Sequence, residues 1–452
     1  MTEIALIVLA AGMGTRMKSA IPKVLHRAAG RSLLGHVLWA GRALQAQRTA
    51  VIIGPDMPAV AEEARRYMPE AAIAIQEKRL GTGHAVAMAR EALAGFSGTV
   101  LVLYGDAPLV LPETLKKLVV SVTRETPLAV LGFRAANPTG YGRLLPGAPG
   151  TIRAIREELD ATAEEREIKL CNSGIIAVES GHLASLLPKL GNANAKGEYY
   201  LTDLVGLTAA EGRPAALVEC PESEVAGVND RVQLAAVEAA FQARYRQRHM
   251  LAGATLVAPD TVYFSADTEL GADVTIGPHV VFGPRVKVAD GAEVLGFCHI
   301  EGASIGKGAR VGPFARLRPG AELGAESHVG NFVEIKNASL GPGAKANHLS
   351  YLGDATVGAK SNIGAGTITC NYDGFEKHRT EIGADVFVGS NTALVAPVKV
   401  GDGANIAAGS VVTREVPADA LAIGRAELDL RQGWAVRYRE MKRARKAQKS
   451  KG

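Results

Sequence analysis

The chain has 452 residues, of which 47% are hydrophobic and 21% charged. At about 100–200 residues per domain this amounts to two to four globular domains, and it excludes a disordered or collagen-like protein. The net charge of +5 is a property of the tail: from Arg437 to Gly452 eight basic residues face Glu440 alone, which leaves the rest of the chain at −2.

The first eleven residues have a short apolar run, and their only charge is Glu3. Without a basic start they read as a buried strand entering a phosphate loop rather than as a secretion signal. Strands are predicted at Ile4–Leu9, Ala50–Ile53, Ala72–Ile75, Val100–Leu103, Ala129–Phe133 and Gly174–Val178, with helical stretches such as Ala59–Tyr67 and Gly83–Leu93 between them. Near-continuous apolar strands with helical crossovers indicate an α/β domain with a mostly parallel, Rossmann-like sheet, here residues 1–228. Residues 229–250 read as one connecting helix, with Asp230 as its cap and Leu234, Val237, Phe241 and Tyr245 on one face.

Beyond it apolar residues recur every six positions: Phe264, Leu270, Ile276, Phe282, Val288, Val294 and Ile300, then after a one-residue slip Ile305, Val311, Leu317, Leu323, Val329 and Ile335. A third run is Ile382, Val388, Leu394, Val400, Ile406 and Val412. That period fits neither a helix nor a flat sheet. It fits a β-solenoid with three short strands per turn, assigned to 251–425, followed by a basic tail over 426–452. The period breaks between Ile363 and Ile382, where Cys370–Thr380 is inserted, and a loop leaving a regular solenoid is where function tends to sit. No apolar run reaches the ~18 residues of a spanning helix. Cys171, Cys220, Cys298 and Cys370 form no C-x-x-C pair, which points to a reducing cytoplasm.

Several of these segments carry chemistry. Leu9-Ala10-Ala11-Gly12-Met13-Gly14-Thr15-Arg16-Met17, with Pro22-Lys23 after it, follows the first strand. Gly12 and Gly14 let backbone N–H groups approach phosphate, and Arg16 and Lys23 add positive charge. Neither the dinucleotide fingerprint nor the Walker sequence fits. Tyr104-Gly105-Asp106 puts a carboxylate at the end of a strand, where it serves either to cap a turn or to bind Mg²⁺; Asn229 is either a helix-start residue or a second oxygen ligand. In the solenoid, Arg316–Pro319, Asn331–Lys336, Asn347–Asp354 and Ser361–Gly374 gather polar groups around His348, a composition suited to an anionic amino sugar.

The first string resembles the signature of the sugar-nucleotide pyrophosphorylases. With both halves read, the chain resembles, from about residue 3 to 425, the bacterial bifunctional N-acetylglucosamine-1-phosphate uridyltransferase/glucosamine-1-phosphate N-acetyltransferases. The resemblance implies a left-handed parallel β-helix of hexapeptide repeats that assembles as a homotrimer. It implies two reactions: acetylation of glucosamine-1-phosphate by acetyl-CoA, then coupling of N-acetylglucosamine-1-phosphate to UTP with release of pyrophosphate, for cell-wall precursors. It assigns UTP and product binding to Leu9, Ala10, Ala11, Gly12, Gly14, Arg16, Lys23, Gln76, Gly81, Thr82, Tyr104, Gly105, Asp106, Gly142, Glu157, Asn172 and Asn229. Asp106 and Asn229 hold Mg²⁺, and Arg16 and Lys23 act in catalysis. Leu159 stands where the family leads one to expect Lys. His348 becomes the general base of acetylation, because imidazole is the side chain that ordinarily titrates near neutrality. Arg318, Lys336, Tyr351, Asn362 and Lys377 fall to glucosamine-1-phosphate, and Ala365, Asn371, Tyr372, Ser390, Ala408 and Arg425 to acetyl-CoA. Two other readings stay open on the residues: a single-activity pyrophosphorylase whose solenoid only oligomerises or regulates, and a nucleic-acid or membrane adaptor acting through the tail. The resemblance itself implies neither nucleic-acid binding nor membrane insertion.

Overall fold

A computed structural model of the chain describes residues 3–449. Met1 and Thr2 of the first apolar run, and Lys451 and the side chain of Lys449 in the basic tail, lie outside that description. Two compact units emerge. One runs to Leu251 and takes in Tyr263–Asp267; the other comprises Ala252–Val262 and the chain from Thr268 on.

The first unit is built on β1 (Ile4–Leu9), β2 (Arg48–Ile53), β3 (Ala72–Ile75), β4 (Thr99–Tyr104), β5 (Leu128–Arg134), β6 (Arg143–Pro146), β7 (Thr151–Arg156), β8 (Leu170–Glu179) and β9 (Ala215–Cys220). These form one sheet in the order β3-β2-β1-β4-β8-β5-β9-β7-β6. From β3 to β4 all neighbours are parallel, and β5 and β9 pair in parallel too. β8 runs antiparallel to β4 and β5, and β7 and β6 close the edge as an antiparallel hairpin. The parallel part carries the expected topology, and the rest is mixed. An apolar run reports burial on both faces, not strand direction, which is why β8 looked like its parallel neighbours in the sequence.

Leu6 and Val8 face one layer with helices α1 (Leu33–Arg42), α2 (Pro58–Tyr67) and α4 (Pro112–Val120). Ala5 and Ile7 face the other, with α3 (Thr82–Ala87), α5 (Ser180–Leu186) and α6 (Asp203–Ala210). Alternation along β1 thus builds two cores, the doubly covered sheet expected of an α/β unit. The helical stretch predicted over Gly83–Leu93 is shorter, ending in turns after Ala87.

Helix α7 (Arg231–Leu251) is part of this unit. Asp230 caps it by accepting from the Gln233 N–H at 2.8 Å. Val237 and Phe241 are buried with Met17, Leu33, Leu109 and Val228. Gln242 clamps Phe264, donating to its carbonyl at 2.8 Å and accepting from its N–H at 2.7 Å. Burying Val237 and Phe241 contributes about 1.5–3 kcal/mol each. A chain cut after 228 therefore exposes Met17, Leu33 and Leu109 and is expected to aggregate or melt early. One cut after 267 is expected to melt cooperatively, a difference thermal unfolding of the two fragments reads directly.

His36 lies against this helix, stacked on Phe241 with ring centroids 4.0 Å apart and its Nε2 2.8 Å from the Ala28 carbonyl. Burial, with Arg31 adding repulsion against the Ala28 hydrogen bond, lowers its pKa to about 3. The folded state thus prefers the neutral ring. The stability it contributes is complete above pH 6.5 and is lost as the pH falls toward 3, by at most about 1.4 kcal/mol per pH unit. The melting temperature is expected to drop between pH 7 and 5 more steeply in the parent than in His36→Gln; parallel curves would contradict this.

The second unit is a parallel β-helix with three columns of short strands. One column stacks Thr275, Glu293, Arg310 and His328 in register. A second stacks Val281, His299, Arg316, Glu334, Tyr351 and Ile368. The third stacks Lys287, Ser304, Glu322 and Ser339. The inward positions are the six-residue series: all of those named are buried except Leu270, which is partly so. At the slip, Ile305 still sits over Val288, because the turn before it is one residue short. The insert lies between Cys370 and Thr380, after which Thr380–Ile382 rejoins the column of Ala355–Val357. Helix α8 (Trp434–Lys449) ends the described chain, exposed throughout its described side chains. Among the described residues no helix is long and apolar enough to cross a membrane.

Candidate active sites

In the first unit a cleft of about 230 Å³ opens at the carboxyl ends of β1 and β4, the place where parallel α/β sheets bind ligands. Ten of the predicted residues line it: Leu9, Ala10, Ala11, Gly12, Lys23, Gln76, Gly81, Thr82, Tyr104 and Asp106. Gly14 has φ +63°, and a Cβ there would lie 2.5 Å from that of Lys23, so only glycine lets the turn carry Lys23 into the cleft. The Lys23 ammonium bonds to Asp106 Oδ2 and to Asn229 Oδ1, the latter at 3.2 Å. Two oxygens from segments far apart in the unit's sequence thus converge on one cation. A carboxylate and an amide oxygen are hard donors, and this pair fits a divalent ion completed by water and phosphate oxygens.

Gly142, Glu157 and Asn172 adjoin the cleft through Tyr104. Asn172 donates its backbone N–H to the Gly142 carbonyl at 2.8 Å. Burial pushes the Tyr104 hydroxyl up, and the charges of Glu157 and Asp106 add to the effect, so both carboxylates lie near that ring. Burial also raises the Glu157 carboxyl, against a 3.1 Å bond from Thr202. Gly105 packs under Leu9 and Ala10. Arg16 is exposed on a short 3-10 turn outside the cleft lining, and Leu159 is exposed as well. Sequence reading missed Arg79 and Glu198, which also line the cleft; Arg79 Nε donates to the Ala11 carbonyl at 2.8 Å, beside the Gly-rich turn. Nothing in the spacing around Arg79 marks it, because the contact spans two separate strand ends.

In the solenoid, His348 stands one coil beyond Asn331, its Nδ1 hydrogen-bonded to Asn331 Oδ1 at 3.0 Å. An amide oxygen can only accept, so Nδ1 carries the proton and Nε2 is left as the basic nitrogen. Down the same corner the Ala365 carbonyl accepts from Asn391 N–H and the Ser390 carbonyl from Gly409 N–H, each at 2.7 Å. The Ala408 carbonyl accepts from the Arg425 guanidinium at 2.6 Å. Ala365, Ser390, Ala408 and Arg425 therefore form a row leading away from His348. Beside that row the corner residues Phe297, Phe314, Phe332 and Leu349 hold left-handed backbone and lie open to solvent. The phenyl rings stack at 4.9 and 5.3 Å. A bulky residue at positive φ is strained, a cost that persists where function or assembly needs the side chain outward.

At the next corner, Lys336 lies one coil from Gly353, over which the Tyr351 ring is laid. The Lys336 ammonium lowers the pKa of the Lys377 amine, so two like charges share this place, with Tyr351 nearby. Arg318 pairs with Glu334 at 2.8 Å. Asn371 is buried here and donates to Asp354, while Tyr372 is exposed and donates to the Gly374 carbonyl at 2.6 Å. The insert is pinned by Asp373, which accepts from Phe375 and Glu376 N–H groups at 2.8 Å and pairs with His378 at 2.7 Å. Asn362 is not gathered with these residues; it lies in the first column, in register with Lys345. Asp354, Asn337 and Asn331 were not singled out as site residues beforehand.

Comparison with known proteins gives one consistent answer. Residues 6–169 match the MobA-like NTP transferase domain, and residues 302–337 and 379–414 match the bacterial transferase hexapeptide repeats, on either side of the insert. A protein of Azorhizobium caulinodans described as "Bifunctional protein GlmU" is 56% identical over 97% of both chains. Proteins of the same description from Rhodospirillum rubrum and Cereibacter sphaeroides are 57% and 54% identical, covering 97% and 99% of this chain and 98% of each relative.

Proposed function

The chain belongs to the family of bifunctional GlmU proteins, and from that premise we propose how its two units divide a uridylyl transfer and an acetyl transfer. The second unit works first, acetylating glucosamine-1-phosphate. The amine nitrogen attacks the thioester carbonyl of acetyl-CoA, the C–N bond forms, and the CoA thiolate leaves and is protonated. His348 Nε2 takes the proton that the amine must lose, with Nδ1 held by Asn331. Lys336, Lys377 and Arg318 hold the sugar's phosphate, and Tyr351 borders it. The row from Ala365 through Ser390 and Ala408 to Arg425, with Asn371 and Tyr372, receives acetyl-CoA.

The first unit then joins N-acetylglucosamine-1-phosphate to UTP. A phosphate oxygen of the sugar attacks the α-phosphorus, the bond to the β-phosphate breaks, and pyrophosphate leaves. Two anions must meet, so positioning and charge neutralisation dominate. Lys23 and Arg16 supply positive charge, the Gly12–Gly14 turn cradles phosphates, and Gln76, Gly81 and Thr82 receive the uracil. Gly142, Glu157 and Asn172 hold the sugar. Asp106 and Asn229 would hold a divalent metal, Mg²⁺ in this reading, which when bound neutralises phosphate charge.

The observation that carries the second activity is the His348–Asn331 pair on neighbouring coils that also present Tyr351 and Lys336, with Lys377 of the insert beside Lys336. A solenoid that only oligomerised would need none of these. We also place the enzyme in the cytoplasm and as a homotrimer. The hexapeptide repeats fit oligomerisation. The exposed stack of Phe297, Phe314 and Phe332, and the bare Trp434, Tyr438 and Met441 of α8, are apolar surfaces that a neighbouring copy would cover. One incubation of the chain with glucosamine-1-phosphate, acetyl-CoA, UTP and Mg²⁺ tests the reading. Free thiol should appear first and pyrophosphate after it; pyrophosphate release that needs no acetyl-CoA would contradict the order. Light scattering checks the trimer, and a monomeric mass would overturn it.

A further inference from the structure

At the corner beside Lys336 and Lys377 lies a carboxylate that the two reactions above leave without a task. Asp354 is 9% exposed and sits at φ +48°, one coil from Asn337 and one from Asn371. Its Oδ1 accepts from the Asn337 amide at 2.6 Å, and its Oδ2 accepts from the Asn371 amide. Burial alone would raise its pKa, but those two hydrogen bonds and the charges of Lys336 and Lys377 outweigh it and leave the carboxyl below its ordinary range. It is therefore ionised at working pH, and an ionised carboxylate can only accept.

That has a consequence for Asn371. An asparagine amide presents a donor on one side and an acceptor on the other, and its orientation is set by its partners. Facing a carboxylate, Asn371 must turn Nδ2 toward Asp354, which leaves Oδ1 as its acceptor for a bound molecule. Asn371 is itself buried, with its N–H donated to the Thr369 carbonyl and its carbonyl taken by His378 N–H. Its backbone is thus fixed, and the amide orientation is the remaining degree of freedom.

We propose that Asp354 is a positioning residue for acetyl transfer: it locks the Asn371 amide with its carbonyl oxygen as the acceptor offered to the substrate N–H groups. This rests on the acetyl-transfer reading of the second unit.

Asp354→Asn keeps size and removes the charge that dictates the orientation, since an amide partner can meet either face of Asn371. Acetylation kcat should fall about 10–100-fold, the scale at which outer partners of site groups act. The KM for glucosamine-1-phosphate should rise less than about threefold, because Lys336, Lys377 and Arg318 remain. A role in folding alone would lower the melting temperature without that split. If Asp354 acts through Asn371, the double variant Asp354→Asn/Asn371→Ala should be no slower than the slower single variant. A kcat for Asp354→Asn within about threefold of the parent, far short of that range, or full additivity in the double variant, overturns the proposal. Should Asp354→Asn not fold, Asp354→Gly, which removes the charge and suits the positive φ, is put through the same cycle with the same two deciding outcomes. A parent that does not acetylate at all would instead defeat the acetyl-transfer reading, which separates the two failures.

Discussion

His348→Ala is expected to lose acetylation by about 10²–10⁴-fold, the range for removal of a general base, while still converting supplied N-acetylglucosamine-1-phosphate and UTP. The amine of glucosamine-1-phosphate is largely protonated near neutrality, and an ammonium has no lone pair with which to attack a thioester. A group must take that proton before or during attack. His348 is exposed, and its Nδ1 is committed to Asn331, so Nε2 is the nitrogen free to do so. Binding of the sugar phosphate should change less, because Lys336, Lys377 and Arg318 are untouched. A rate within about threefold of the parent would remove His348 from the mechanism.

Asp106→Ala is expected to cost uridylyl transfer at least about 10²–10³-fold, as loss of a preorganised charge at a reacting phosphate does, and to leave acetylation near normal. The side chain lies in the cleft, tied to Lys23, which in turn reaches Asn229. Removing it takes away the one charged oxygen of the proposed metal pair and the partner that fixes Lys23. Asp106→Asn, which keeps the shape and loses the charge, should fall nearly as far. Steady-state release of pyrophosphate and of free thiol, measured on the same preparation, checks both halves. Parallel loss of both activities in a folded variant would refute two independent sites.

Much of this was legible before any coordinates. The six-residue series marked the inward positions of the solenoid because a β-helix repeats its geometry at every strand, so even the slip at Ile305 left a readable register. That the Gly-rich turn and Asp106 line one cleft was legible because each lies in one continuous segment at a strand end. What escaped has a common cause. The contact of Arg79 with Ala11, the clamp of Gln242 on Phe264 and the ladder of Asn337, Asp354 and Asn371 each join distant residues that carry no local pattern. The helix read as a connector became part of the first unit for the same reason: its apolar stripe showed that it packs, but not against what. The antiparallel course of β8 was hidden because burial on both faces looks alike in either direction.

The central claim, two independent activities on one chain, is tested most directly by mixing separately purified His348→Ala and Asp106→Ala proteins with glucosamine-1-phosphate, acetyl-CoA, UTP and Mg²⁺. Each variant alone should make almost no UDP-N-acetylglucosamine from these substrates. Together they should restore it, with free thiol released by the Asp106 variant and pyrophosphate by the His348 variant. A mixture as inactive as its parts would contradict the account.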